Sequence, residues 1–179
     1  MNARRKVGLG ELKLPLTGRH FFTVVGGPYR EKPNTYVGVK MAKEIKAEAQ
    51  VSIPTDDFST PPLKVLDAGL EQAVTLLLAG EPLYVGCMGG RGRTGLFLAI
   101  LAKVLDVKGP VEYVRKEYYG HAVETDEQYA FVTEYEAPAA VTKMIRKARR
   151  QAQWYFWSKP FWANQLTREP AGLPTKVIF

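Results

Sequence analysis

The residues best equipped for chemistry stand in one run, Cys87-Met88-Gly89-Gly90-Arg91-Gly92-Arg93-Thr94-Gly95. A cysteine and an arginine bracket five residues, three of them glycine. A cysteine is a strong nucleophile as the thiolate, and nearby positive charge and hydrogen-bond donors favour that form. An arginine presents a planar fork that matches two oxygens of a phosphate, which lysine cannot do equivalently. The apolar run Leu83-Tyr84-Val85 before the segment reads as a strand, and Leu96–Ala102 after it as a helix. A glycine-rich turn between strand and helix aims backbone N–H groups, and the positive end of the helix dipole, at whatever occupies it. A tetrahedral oxyanion fits such a cradle. Met88, Gly89, Gly90, Arg91, Gly92 and Arg93 would hold it, and Cys87 at the floor could attack the phosphorus of a bound phosphate ester. The plainer alternative is a buried structural cysteine, a common fate of a lone Cys.

The spacing C-x5-R followed by Thr resembles the signature of the cysteine-dependent protein tyrosine phosphatase superfamily. The form C-x-G-G-x-G-R-T-G is closest to its dual-specificity branch. The resemblance implies that Cys87 is the nucleophile and that Arg93 grips the phosphate through a trigonal-bipyramidal transition state. It also implies that the hydroxyl of Thr94 hydrogen-bonds the sulfur and helps it leave in the second step. Reading Thr94 as an ordinary residue of a helix start stays open beside this.

A leaving alkoxide or phenoxide needs a proton, so an acid is expected on a neighbouring loop. Pro54-Thr55-Asp56-Asp57-Phe58-Ser59-Thr60-Pro61 resembles the family's acid loop. There the acid commonly has a proline four residues after it, a pattern met by Asp57 with Pro61; Asp56 is the alternative. The segment Val123–Tyr129 resembles a later family segment in which a glutamine orients the hydrolytic water, but Glu124 stands near its start and Gln128 follows one turn on. A capping box with Thr125 as N-cap accounts for Gln128 by itself, and neither residue is assigned a catalytic role. One departure is clear: Gly86 occupies the position before the cysteine, where the family usually has a histidine that organises the loop.

The elements that would position these groups can be read along the chain. Strands are expected at Phe21–Val25, at Thr35–Val39 and at Ala49–Ile53, with a short helix over Met41–Ala49 between the last two. A helix opening on Pro61-Pro62, capped by Ser59 or Thr60 and ending at Gly80, buries Leu63, Val65, Leu66, Leu70, Ala73, Val74 and Leu77. The helix from Gly92 to Leu105 is apolar nearly all round and belongs at the centre. Helices follow at Val111–Tyr119 and Thr125–Glu136. A last one starts at Pro138, with Val141, Met144, Ile145, Ala148, Ala152 and Tyr155 on one stripe. Residues 1–20 show no clear period. These elements predict an α/β fold with a central, mostly parallel sheet flanked by helices, followed by a C-terminal basic helix and an irregular tail. Residues 1–140 would form the catalytic domain. Residues 141–179 would form a basic, aromatic-rich helix and tail packed on it.

Composition narrows the partners. With 46% hydrophobic and 24% charged residues in 179, the chain reads as one soluble globular unit. One Cys and two His cannot form a disulfide or a Cys/His zinc site. A thiol that must stay reduced suits the cytoplasm, and no signal-type or membrane-spanning apolar run is present. Residues 141–179 hold eight Lys or Arg against one Glu, so they supply the entire net charge of +7. The resemblance implies a metal- and cofactor-independent phosphomonoesterase acting on phosphoprotein, on phosphotyrosine with possible dual specificity, through a cysteinyl-phosphate. The same chemistry could serve a phosphoinositide, because Arg91 resembles the basic loop residue of such phosphatases, or an RNA 5′-phosphate. The basic tail would suit anionic lipid or RNA. A phosphate-binding pseudophosphatase is the non-enzymatic alternative, and Gly86 is the feature in its favour.

Overall fold

The computed structural model describes residues 8–158. Among them, five strands form one sheet: β1 (Gly10–Pro15), β2 (Phe21–Pro28), β3 (Val37–Ala42), β4 (Val51–Thr55) and β5 (Leu83–Cys87). Its order is β1-β2-β5-β3-β4, with only β1 antiparallel to its neighbour. The α/β expectation of a central, mostly parallel sheet is borne out. β5 is flanked on both sides, and all five of its residues are buried. Its C-terminal end therefore presents Cys87 from the centre of the sheet.

Five helices follow in chain order: α1 (Leu63–Leu78), α2 (Gly92–Val104), α3 (Pro110–Glu117), α4 (Asp126–Glu134) and α5 (Ala139–Ser158). Every residue of α2 from Gly92 to Ala102 is buried, as its all-round apolar sequence requires. Each fully buried Leu or Phe there contributes about 1.5–3 kcal/mol relative to exposure. α1 packs against β4 and buries Leu66, Leu70, Ala73, Val74 and Leu77, but Leu63 at its first position is exposed.

Three local expectations need correction. No helix forms over Met41–Ala49: β3 runs on to Ala42, and bends follow. The Lys40 ammonium closes that bend by donating to the carbonyls of Ile45 and Ala47. α1 is not capped by Ser59 or Thr60; Pro62 is its N-cap and makes no side-chain cap bond. β1 was missed among residues 1–20, although Leu12 and Leu14 alternate inward with exposed Glu11 and Lys13 between. The cap at Thr125 is observed, its hydroxyl accepting the Gln128 N–H at 3.1 Å.

α5 lies along α1, with Val141 and Ile145 buried and Met144 and Ala148 partly so. Arg149 fastens it. Its Nε donates to the Leu16 carbonyl at 2.8 Å, its Nη2 donates to the Leu105 carbonyl at 2.9 Å, and its Nη1 pairs with Asp106. Lys143, Arg146, Lys147 and Arg150 face solvent. The Tyr155 side chain and the tail from Lys159 onward lie outside the described residues.

Candidate active site

The phosphate-loop segment runs from the end of β5 into the start of α2, as its sequence requires. Gly90 makes the turn possible: its φ is +73°, and a Cβ there would lie 2.4 Å from the Gly27 carbonyl carbon. The loop thus seats directly on the end of β2. The Gly90 N–H donates to Cys87 Sγ at 3.2 Å, so a loop amide already addresses the sulfur. Cys87, Arg93 and Thr94 are buried, whereas Met88, Gly89 and Arg91 lie on the rim.

Arg93 is 2% exposed, and three of its five N–H groups donate to protein oxygens. Nη1 donates to Glu44 Oε2 at 2.8 Å and to the Thr55 carbonyl at 2.9 Å. Nη2 donates to Glu44 Oε1 at 2.7 Å and lies 2.9 Å from Asp57 Oδ1. Burial alone would lower the arginine's pKa. The Glu44 hydrogen bonds and the charges of Cys87, Asp57 and Glu44 outweigh it and hold the guanidinium above its ordinary value. The bond from Arg93 holds the Glu44 carboxyl below its ordinary value, against a smaller effect of burial. Nε of Arg93 and Oγ1 of Thr94 are buried and have no hydrogen-bond partner among the described residues.

The two acid-loop aspartates part company. Asp57 turns to Arg93, whereas Asp56 turns outward to Lys43, 3.0 Å away, and is 72% exposed at its side chain. Phe58 follows with a φ of +56° and an exposed ring, a strained backbone for a bulky residue. Gln128 is fully buried: its Nε2 donates to the Ser59 carbonyl, and its Oε1 accepts the Glu124 N–H. It ties α4 to the acid loop. A groove of about 660 Å³ opens beside the loop, lined by Phe58, Arg91, Tyr119, His121 and Glu124 among others. The Arg91 guanidinium lies over the Tyr119 ring, 5.5 Å from its centroid.

Glu44 was not found by reading the sequence. Its signal would have been a carboxylate within reach of a buried arginine, and nothing in the run Lys43–Glu48 marks that contact. Gly86 is explained by space. A Cβ there would lie 2.8 Å from Tyr29 Cα and 2.9 Å from the Gly27 carbonyl oxygen, so the chain has no room for a side chain before the cysteine.

Residues 34–106 match the family described as the DSP-PTPase phosphatase of polymorphic toxin systems, Tc-R-P. Two uncharacterized proteins of Methanocaldococcus jannaschii are 41% and 39% identical over 83 residues, 46% of this chain. Those matches span 56% and 52% of the relatives, so the chain covers about half their length. A solved structure of kinase associated phosphatase, with serine in place of its catalytic-site cysteine, shares the fold at a TM-score of 0.53 and 16% identity. It covers 73% of this chain and 95% of that one. The family match over residues 34–106 bears out the resemblance to the dual-specificity branch of the cysteine-dependent phosphatases, and the solved structure shares the fold.

Proposed function

We propose that this chain, in which residues 34–106 match a dual-specificity-type phosphatase family, hydrolyses phosphomonoesters of proteins without a metal, through a cysteinyl-phosphate. The observation that carries the reading is the pair of buried, unpartnered groups at the start of α2, Arg93 Nε and Thr94 Oγ1. Buried polar groups in native proteins are nearly always satisfied, so such a pair calls for an explanation. A phosphate oxygen on Nε would satisfy the first, and we assign the second to the cysteine sulfur as it leaves phosphorus.

In the first step the Cys87 thiolate forms a bond to phosphorus while the bond from phosphorus to the ester oxygen breaks. Asp57 gives its proton to that oxygen. In the second step water attacks phosphorus, Asp57 takes a proton from the water, and the S–P bond breaks to return the thiolate. Thr94 donates to the departing sulfur. Glu44 and the Thr55 carbonyl fix the Arg93 fork, so the arginine meets developing charge without reorganising. A phosphate that reaches for Nη2 competes with Asp57 there, which frees the carboxyl to meet the leaving group.

Asp57 is preferred over Asp56 because it is the one that faces Arg93. Phosphoprotein is the preferred substrate. The exposed ring of Phe58 and the half-buried ring of Tyr119 in the groove suit an aryl phosphate, and the Arg91 guanidinium lies over the Tyr119 ring. The test is hydrolysis of a small aryl phosphate in excess chelator. Turnover there supports the reading, and a requirement for added metal overturns it.

A further inference from the structure

We propose that Tyr118 is a positioning residue of the phosphate loop, its hydroxyl holding the Gly90–Arg91 peptide from beneath so that the Gly90 N–H stays on the Cys87 sulfur. The proposal rests on the reading of Cys87 as the nucleophile. Four observations lead to it.

Tyr118 follows α3 and is buried, and its hydroxyl donates to the Gly90 carbonyl. Gly90 is also the residue whose N–H reaches Cys87 Sγ at 3.2 Å. One residue therefore receives the tyrosine through its carbonyl and meets the sulfur through its amide, and fixing the first restrains the second. The sheet makes space for the ring. At Gly26 a Cβ would lie 2.7 Å from Tyr118 Cε2, and at Gly10 one would lie 2.9 Å from the Tyr118 carbonyl oxygen. Two strands thus carry glycine where this one residue crosses them. Finally, the position before the cysteine is closed to any side chain by the Tyr29 and Gly27 backbones, so no group at 86 could brace the loop.

The hydroxyl is suited to donate. Burial first, then the charge of Cys87, pushes the Tyr118 pKa well above its ordinary value, so it keeps its proton throughout the neutral range. Its donated bond draws electron density from the Gly90 carbonyl and makes the following Arg91 N–H a better donor to anything in the cradle. Among the described residues, the titratable groups that interact with the sulfur are Arg93 at the start of α2, Tyr84 on its own strand and Tyr118 after α3, with Asp57 facing Arg93.

The test compares Tyr118→Phe with Tyr135→Phe in the full chain. Both tyrosines are buried and donate one hydroxyl bond, but Tyr135 donates to Asp67, on α1. The first readout is the pH profile of Cys87 alkylation by iodoacetamide, which needs no phosphatase activity; the second is kcat and KM on an aryl phosphate. Loss of one such bond predicts about a three- to tenfold fall in kcat for Tyr118→Phe, with KM little changed. It also predicts an alkylation profile moved to higher pH, while Tyr135→Phe keeps the wild-type profile. A wild-type profile in Tyr118→Phe, or equal shifts in both variants, overturns the proposal. If Tyr118→Phe does not fold, 3-fluorotyrosine placed at 118 keeps ring and hydroxyl and strengthens the donor. The profile then moves to lower pH, and an unmoved profile overturns the proposal. If the wild type alkylates and responds as described but hydrolyses no ester, the phosphatase reading fails and the positioning role stands.

Discussion

Glu44 holds Arg93 in a two-point grip, Oε1 2.7 Å from Nη2 and Oε2 2.8 Å from Nη1. A guanidinium that is 2% exposed needs such a partner, because an unpaired buried charge is strongly destabilising. The grip uses the outer edge of the fork and leaves Nε to a ligand. Glu44→Gln should keep the shape and weaken the bonds. With Glu44 itself 43% exposed at its side chain, solvent screening limits the stability loss to about 1 kcal/mol. The fall in kcat should be the larger effect, read by steady-state kinetics on an aryl phosphate.

The same pair predicts an acid sensitivity. The Glu44 carboxyl is held below its ordinary value of 4.5, so its folded-state value lies under its unfolded one. A depressed carboxylate stabilises fully above the unfolded value and loses that contribution as pH falls through the folded one. Melting temperatures measured from pH 6 downward should therefore drop less steeply below about 4.5 in Glu44→Gln than in the wild type. Parallel curves would contradict this account of the pair.

Asp57 and Asp56 make a direct comparison. If Asp57 is the acid, Asp57→Asn should flatten the alkaline fall in activity and hurt poor leaving groups most. Asp56→Asn, which removes only an exposed contact to Lys43, should leave both unchanged. The measurement is kcat/KM against pH for aryl phosphates of graded leaving-group acidity, and the reverse pattern would move the assignment by one residue.

Gly86→Ala should destabilise by about 1–3 kcal/mol, as overpacking does. The new methyl would meet backbone atoms of Tyr29 and Gly27 under 3.0 Å away, so one of these segments must shift. Gly86→His should be worse, and adding the family's usual histidine should lower the yield of folded protein rather than raise activity. Chemical denaturation of the alanine variant checks the first statement.

Much of this was legible in the sequence because it is local. The phosphate loop lies within nine consecutive residues, and the apolar runs around it declare a strand and a helix. The cap at Thr125 is likewise written in neighbouring residues. What escaped was set by distant contacts. Met41–Ala49 has helical composition, yet Val37–Ala42 pairs with β5 and β4 and Lys40 ties down the bend that follows. Glu44 meets Arg93 across 49 residues, and Tyr118 meets Gly90 across 28. No spacing rule reaches so far. Gly86 looked like a loss when compared with the family, and only the packing of Tyr29 against it gives a physical reason.

Truncation after Pro138 bears on the basic segment. It would uncover the α1 surface under Val141 and Ile145 and remove the three bonds of Arg149. The shortened chain should melt lower or become insoluble, by differential scanning fluorimetry of the soluble fraction. A truncated chain that melts as the full one does would show that α5 adds nothing to the domain.

The central claim is a phosphoryl group carried on Cys87. The most direct measurement is acid quenching of Thr94→Ala during turnover of an aryl phosphate in excess chelator, followed by mass spectrometry of the peptide that contains Cys87. If the Thr94 hydroxyl helps the sulfur leave, its removal should slow the second step, so the account predicts one phosphoryl group on Cys87 and none in the Cys87→Ser control, which should also be inactive. Continued turnover in Cys87→Ser, or turnover of Thr94→Ala with the phosphoryl group on another residue, would contradict it.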